Sequence, residues 1–160
     1  MGKIKKFSGF SIKTITGGKD PLRLVEEFLI RQGFDPRKTK KIEEADVVQW
    51  VVEIEAEREL EILLENLHQP NHTTIYLGVN IAVVPLRGAN DMLAAALEIA
   101  DGLVGTKISL VGHYLVLSSS MGGAGLSVED LEYQFKLITA QVDWFRTALL
   151  EELEWEDFNE

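Results

Sequence analysis

Three histidines, at positions 68, 72 and 113, are the first residues to test for chemistry in this chain. His68 and His72 have the four-residue spacing at which two imidazoles on one helix face hold a metal. Pro70 lies between them and opposes a helix, and no third ligand is near, so the pair reads as polar loop residues. The absence of cysteine removes thiolate zinc sites, iron–sulfur clusters, thiol nucleophiles and redox pairs. Ser118-Ser119-Ser120-Met121-Gly122-Gly123-Ala124-Gly125 has the small residues of a phosphate loop without the lysine and hydroxyl that end one. Glu129 and Asp130, in the turn that follows, would repel phosphate. That stretch therefore reads as a flexible connector. The carboxylate pairs Glu43-Glu44, Glu53/Glu55, Glu57/Glu59/Glu61 and Glu151-Glu152 have the look of solvated strand and tail faces, and no serine sits in a G-x-S-x-G elbow. No nucleophile with its base and no metal site can be assembled, so the expectation is a protein that is not an enzyme and needs no cofactor.

The elements that must position any other function are easier to read. Asp20-Pro21 is a helix start, with an acceptor side chain at the N-cap and proline where the missing N–H costs nothing. That helix runs to about Gln32 on Leu22, Val25, Phe28 and Leu29, and Gly33 ends it. A basic linker, Pro36 to Lys41, precedes a strand over 47–55 in which Val48, Trp50, Val52 and Ile54 face the core. Residues 57–67 fit either period, because Leu60, Leu63, Leu64 and Leu67 suit a helix while Leu60, Ile62 and Leu64 suit a strand. Residues 73–84 alternate Ile75, Leu77, Val79, Ile81 and Val83 on one strand face. A second helix spans 90–104 with Asn90 as cap, and short strands at 107–110 and 113–119 form a hairpin about Gly112. Ser127-Val128-Glu129-Asp130 then opens a long helix with an acidic capping box and a Leu126/Leu131 staple. Its seam is Leu131, Phe135, Ile138, Val142, Phe145 and Leu149.

Composition bounds the whole. The 160 residues, 46% of them hydrophobic, suffice for one domain that buries roughly 70% of its unfolded surface. The net charge of −10 opposes nucleic-acid binding. Its distribution is uneven: residues 1–42 hold eleven lysines and arginines against four acids, and the rest of the chain five against 22. A basic arm lying on a neighbouring subunit, or an acidic body attracting a basic partner, would use this asymmetry. No apolar run approaches the ~20 residues that cross a bilayer, and no export signal follows the first lysines, so a soluble protein that is not exported is expected. The chain divides into a basic N-terminal arm (1–19), an α+β domain (20–150) and an acidic tail (151–160).

Four stretches resemble the YbjN family within the type III secretion chaperone-like fold. Trp50-Val51-Val52-Glu53-Ile54-Glu55 with Glu59-Leu60-Glu61-Ile62-Leu63-Leu64-Glu65 is similar to the family's first hairpin, and Thr74-Ile75-Tyr76-Leu77-Gly78-Val79 to its third strand. Lys107-Ile108-Ser109-Leu110 through Tyr114-Leu115-Val116-Leu117 resembles its second hairpin, and Leu126-Ser127-Val128-Glu129-Asp130-Leu131 with Val142-Asp143 its closing helix. Leu97-Glu98-Ile99-Ala100 departs from the Leu-x-x-Asn helix ending of many members. The resemblance implies an antiparallel five-stranded sheet with three helices, ordered α-β-β-β-α-β-β-α, and makes residues 57–67 a strand. It also implies a cytoplasmic homodimer that binds a protein or peptide as a chaperone-like or regulatory adaptor.

Five residues are candidates for contact with that partner or between subunits. Val47 and Val51 lie on the strand face opposite Trp50 and make it less polar than a solvated one. Trp144 flanks the closing seam as a dimer-interface candidate, and Trp155 and Phe158 are large aromatics in an acidic tail. The alternative is a regulatory sensor module with a small ligand in a cleft, which would need convergent polar groups in an apolar pocket.

Overall fold

The first helix, α1 (Pro21–Arg31), starts where Asp20 accepts a hydrogen bond from the Leu22 N–H at 3.3 Å and ends before Gly33, whose φ of +86° suits glycine. The computed structural model describes residues 20–55, 58–69 and 72–153. Asp35-Pro36 repeats the same start signal, with Asp35 accepting from the Arg37 N–H at 3.0 Å, and produces a one-turn helix, α2 (Pro36–Thr39). The chain runs directly into β1 (Lys40–Glu43), which pairs antiparallel with β2 (Val47–Ile54). The expected basic linker is therefore a helix and a strand.

Four more strands follow: β3 (Arg58–Glu65), β4 (Thr74–Val83), β5 (Lys107–Val111) and β6 (Tyr114–Gly122). Between β4 and β5 stands α3 (Ala89–Ala100), and α4 (Val128–Leu153) closes the described chain. The sheet order is β1-β2-β3-β4-β6-β5, antiparallel throughout. The described residues thus form an α+β fold with six strands and four helices, which corrects the expected five and three. Hydrophobic pattern misses β1 because Ile42 is its only apolar residue. Short length and charge are how sheets protect an edge, and β1 has both.

Of the ambiguous stretch 57–67, Arg58–Glu65 is strand. Leu60, Ile62 and Leu64 are fully buried between β2 and β4, while Leu63 turns to the opposite face. Three further expectations are corrected. The serine-rich connector is the second half of β6, where Ser119 accepts from the amide Nε2 of Gln134 on α4 at 2.7 Å. On β4 a bulge between Asn80 and Ala82 buries both Ile81 and Ala82, so Val83 leaves the core face and is 55% exposed. Finally, α3 is preceded by Gly88 at φ +78° with no side-chain cap; Asn90 lies inside its first turn, and the helix stops at Ala100.

All the large core side chains belong to one face of the sheet. Trp50, Ile62, Ile75, Leu77 and Leu117 meet Phe28 of α1 and the seam Leu131, Ile138, Val142, Phe145 and Leu149 of α4. Phe135 is half-buried and packs edge-on to Phe28 at 5.5 Å. Each such side chain contributes about 1.5–3 kcal/mol through burial. The start of α4 is the expected capping box. Asp130 accepts from the Ser127 N–H at 2.8 Å and pairs with its hydroxyl at 2.7 Å, while the Asp130 N–H donates to Ser127 Oγ at 3.1 Å.

Two outcomes follow from this packing. Phe145→Ala removes a fully buried ring from the centre of the seam and should cost about 3–5 kcal/mol in urea unfolding. The Ser127 N–H and hydroxyl hold the Asp130 carboxyl below its usual 3.8. A depressed acid stabilises the fold above its unfolded value and loses that contribution as pH falls through the folded value. Asp130→Asn should therefore be less stable than the parent at pH 7, and the difference should close on acidification below pH 3.8.

Candidate protein-binding surface

Strand alternation gives the sheet a second face that no described helix covers. The registers arrange it in rows. One runs Val51, Glu61, Gly78, Ser118, Lys107, and the next Gln49, Leu63, Tyr76, Ser120, with Ile42 of β1 at its end. A third pairs Val47 with Glu65 and Thr74. Val47 and Val51 are half-buried here, as the sequence led one to expect of a face that is only partly polar. Leu63 and Tyr76 extend the apolar surface beyond them, and Glu53, Glu59, Glu61 and Glu65 surround it.

The centre of this face is built on Gly78. A Cβ there would lie 2.5 Å from the Tyr76 hydroxyl oxygen and 2.6–2.8 Å from its ring carbons, so the ring of Tyr76 occupies the space that a side chain would take. Aromatic cover of a strand glycine restores the packing that glycine gives up. Burial pushes the Tyr76 phenol above its usual 10.0, opposed by Ser118 and reinforced by the charge of Glu61. Ser118 is almost fully buried. Beside the ring is a shallow hollow of about 250 Å³ whose walls include Val51, Glu59, Glu61, Asn80, Val111 and Val116. Gln49 donates through Nε2 to Glu61, fixing one of these carboxylates at the rim.

Trp144 lies elsewhere. It projects from α4, 46% exposed, with its ring over Gly102, where a Cβ would come within 2.9 Å of it. Gln141 and Gln134 donate to the Val104 and Gly105 carbonyls at 2.9 and 3.0 Å, so α4 clamps the turn between α3 and β5 beneath the tryptophan. Leu97 and Val104 are also exposed in this region. Trp155 and Phe158 are outside the described residues. The candidates thus divide between the bare sheet face, which takes Val47 and Val51, and the helical side, which takes Trp144.

The sequence reading missed Leu63, Tyr76, Gly78 and Ser118. A Tyr-x-Gly on an alternating strand was the available signal, since the two share a face. A second cavity, about 470 Å³, opens where β2 and β3 meet α4, with Phe34, Ile54, Phe135 and Arg58 among its walls. The Arg58 guanidinium pairs with Asp143 of α4. Among the described residues, no group of three or more His, Asp or Glu side chains could hold a metal, and no helix is long and apolar enough to cross a membrane.

No protein-family model matches the sequence, and the curated proteins give no match to it. Solved structures do match by fold. A chain in the ExsC–ExsE complex aligns with a TM-score of 0.57 at 14% identity, over 79% of this chain and 91% of its own. A chain in the HopA1–SchA chaperone–effector complex gives 0.51 at 13% identity, over 79% and 92%. YbjN from E. coli gives 0.50 at 16% identity, over 81% and 89%. The fold is accordingly shared with these chains, at identities of 13–16%.

The seat of Tyr76 can be tested by spectrophotometric titration. Gly78→Ala must move the ring off the strand into water, so the tyrosinate band lost in Tyr76→Phe should titrate closer to 10.0 in Gly78→Ala than in the parent. An unchanged titration would mean that the ring does not depend on the glycine.

Proposed function

We propose that this chain is a non-enzymatic binding module for a protein or peptide, a chaperone-like or regulatory adaptor of the YbjN type that acts as a cytoplasmic homodimer. The observation that carries the reading is the sheet face that no described helix covers, with Val47, Val51, Leu63 and Tyr76 framed by glutamates. The fold is shared with a chain in a chaperone–effector complex, which supports the same reading. A polypeptide segment with apolar residues between lysines or arginines fits this surface by apolar contact and charge. Nucleic acid does not fit it, because four carboxylates face the incoming phosphates. Trp144 with Leu97 and Val104 is the proposed contact between subunits, as large exposed aromatics are frequent interface anchors. The small-ligand alternative draws nothing from the cavity beside Arg58, whose charge Asp143 already meets.

The test is affinity capture from native lysate with the parent chain and with Val47→Asp/Val51→Asp, followed by Kd measurement on the purified pair. The double variant should keep its circular dichroism spectrum and bind at least tenfold more weakly, a loss of about 1.4 kcal/mol. Trp144→Ala should leave that Kd unchanged and weaken self-association in sedimentation equilibrium. A partner bound equally by the double variant would move the surface away from this face.

A further inference from the structure

The outer sheet face and residues 1–19 are complementary in charge and in pattern. Residues 1–19 contain five lysines, Lys3, Lys5, Lys6, Lys13 and Lys19, and no acid, interleaved with Ile4, Phe7, Phe10, Ile12 and Ile15. The face presents Glu53, Glu59, Glu61 and Glu65 around Val51, Leu63 and Tyr76, and the registers of β2 to β6 bring one cation to it, Lys107 on the far edge strand. We infer that residues 1–19 of this same chain lie across that face, their lysines against the glutamates and their isoleucines and phenylalanines on the apolar rows.

Reach permits it. Residues 1–19 end at Asp20, the cap of α1, and α1 stands beside the β1 edge through the Glu26–Lys40 pair at 3.5 Å. Nineteen extended residues span up to about 65 Å. Six strands at the usual spacing are about 24 Å across, so a segment rounding the β1 edge can cross the whole face. Opposite charges at a half-desolvated surface attract more strongly than in bulk water, and the attraction is weakened by salt. One consequence rests on the function proposed above: an external segment must displace residues 1–19, so its apparent affinity falls by the fraction of molecules whose face is open.

Carbodiimide coupling on the full chain, followed by mass spectrometry, reads this contact without any partner. An equal mixture of ¹⁴N- and ¹⁵N-labelled protein separates contacts within a chain from those between chains. Expected are isotopically pure amides joining lysines of residues 1–19 to Glu53, Glu59, Glu61 or Glu65, with yields falling several-fold in 0.5 M salt, a concentration on the order of that which cuts the screening length to a few ångströms. Coupling confined to the six acids of residues 151–160, mixed-isotope products that place the segment on a second copy, or no coupling from these lysines would each overturn the inference. A negative result here with a positive Val47→Asp/Val51→Asp capture would leave the face as a partner site and remove its internal occupant.

Discussion

The lie of α4 against β4 and β6 is the constraint on which the rest of the structure depends. Its seam of Leu131, Ile138, Val142, Phe145 and Leu149 is buried against the same strand face that carries Trp50, Ile62, Leu77 and Leu117. Once that face is taken, α1 can bury Phe28 and Leu29 only beside α4. Strand alternation then sends Val47, Val51, Leu63 and Tyr76 to the other side. The helices are anchored by more than apolar area. Gln134 and Gln141 tie the turn after α3 to α4, Arg31 of α1 reaches Glu129 at 2.8 Å, and the Ser127–Asp130 box fixes where α4 begins. The polar contacts set register and the seam supplies most of the free energy, since exposed ion pairs contribute little.

The same asymmetry makes the outer face unusual for a solvated surface. A face meant only for water would carry short polar side chains in regular alternation. Here it carries a glycine filled by a neighbouring tyrosine, a buried serine, and two valines and a leucine in adjoining rows. Glu61 and Glu65 stand within these rows on β3 and Glu53 faces Glu59 beside them, so two such faces brought together would set like charges against each other. A segment with lysines or arginines between apolar residues meets no such penalty. In the proposed role, such a charge pattern would select among occupants more than it adds to affinity.

Much of the fold was legible in the residues. Asp20-Pro21, the Ser127–Asp130 box and the seam of the last helix act through neighbours in sequence, and each stands where local chemistry puts it. Period two gave the core faces of β2 and of most of β4. What escaped was decided by pairing across the sheet. The segment Lys40–Glu43 has one apolar residue and becomes a strand because β2 offers it a backbone edge. The bulge at Ile81 turns Val83 outward, and β6 continues through its serines because β4 runs alongside it. Residues 57–67 satisfied two periods, and burial between two strands selected one. Of the surface, Val47 and Val51 were readable from one strand alone. Leu63 and Tyr76 become their neighbours only once the registers are known, and Trp144 proved to belong to the opposite side of the molecule.

The central claim is that a polypeptide covers the sheet face that no described helix covers. Hydroxyl-radical footprinting tests this directly on the complex with a captured partner, using as reference the unliganded chain with Lys3, Lys5, Lys6, Lys13 and Lys19 changed to glutamate. The account predicts that oxidation of Val51, Leu63 and Tyr76 falls severalfold in the complex while that of Leu97, Val104 and Trp144 does not change. Unchanged oxidation on the sheet face, with protection falling on Leu97, Val104 and Trp144 instead, would contradict it.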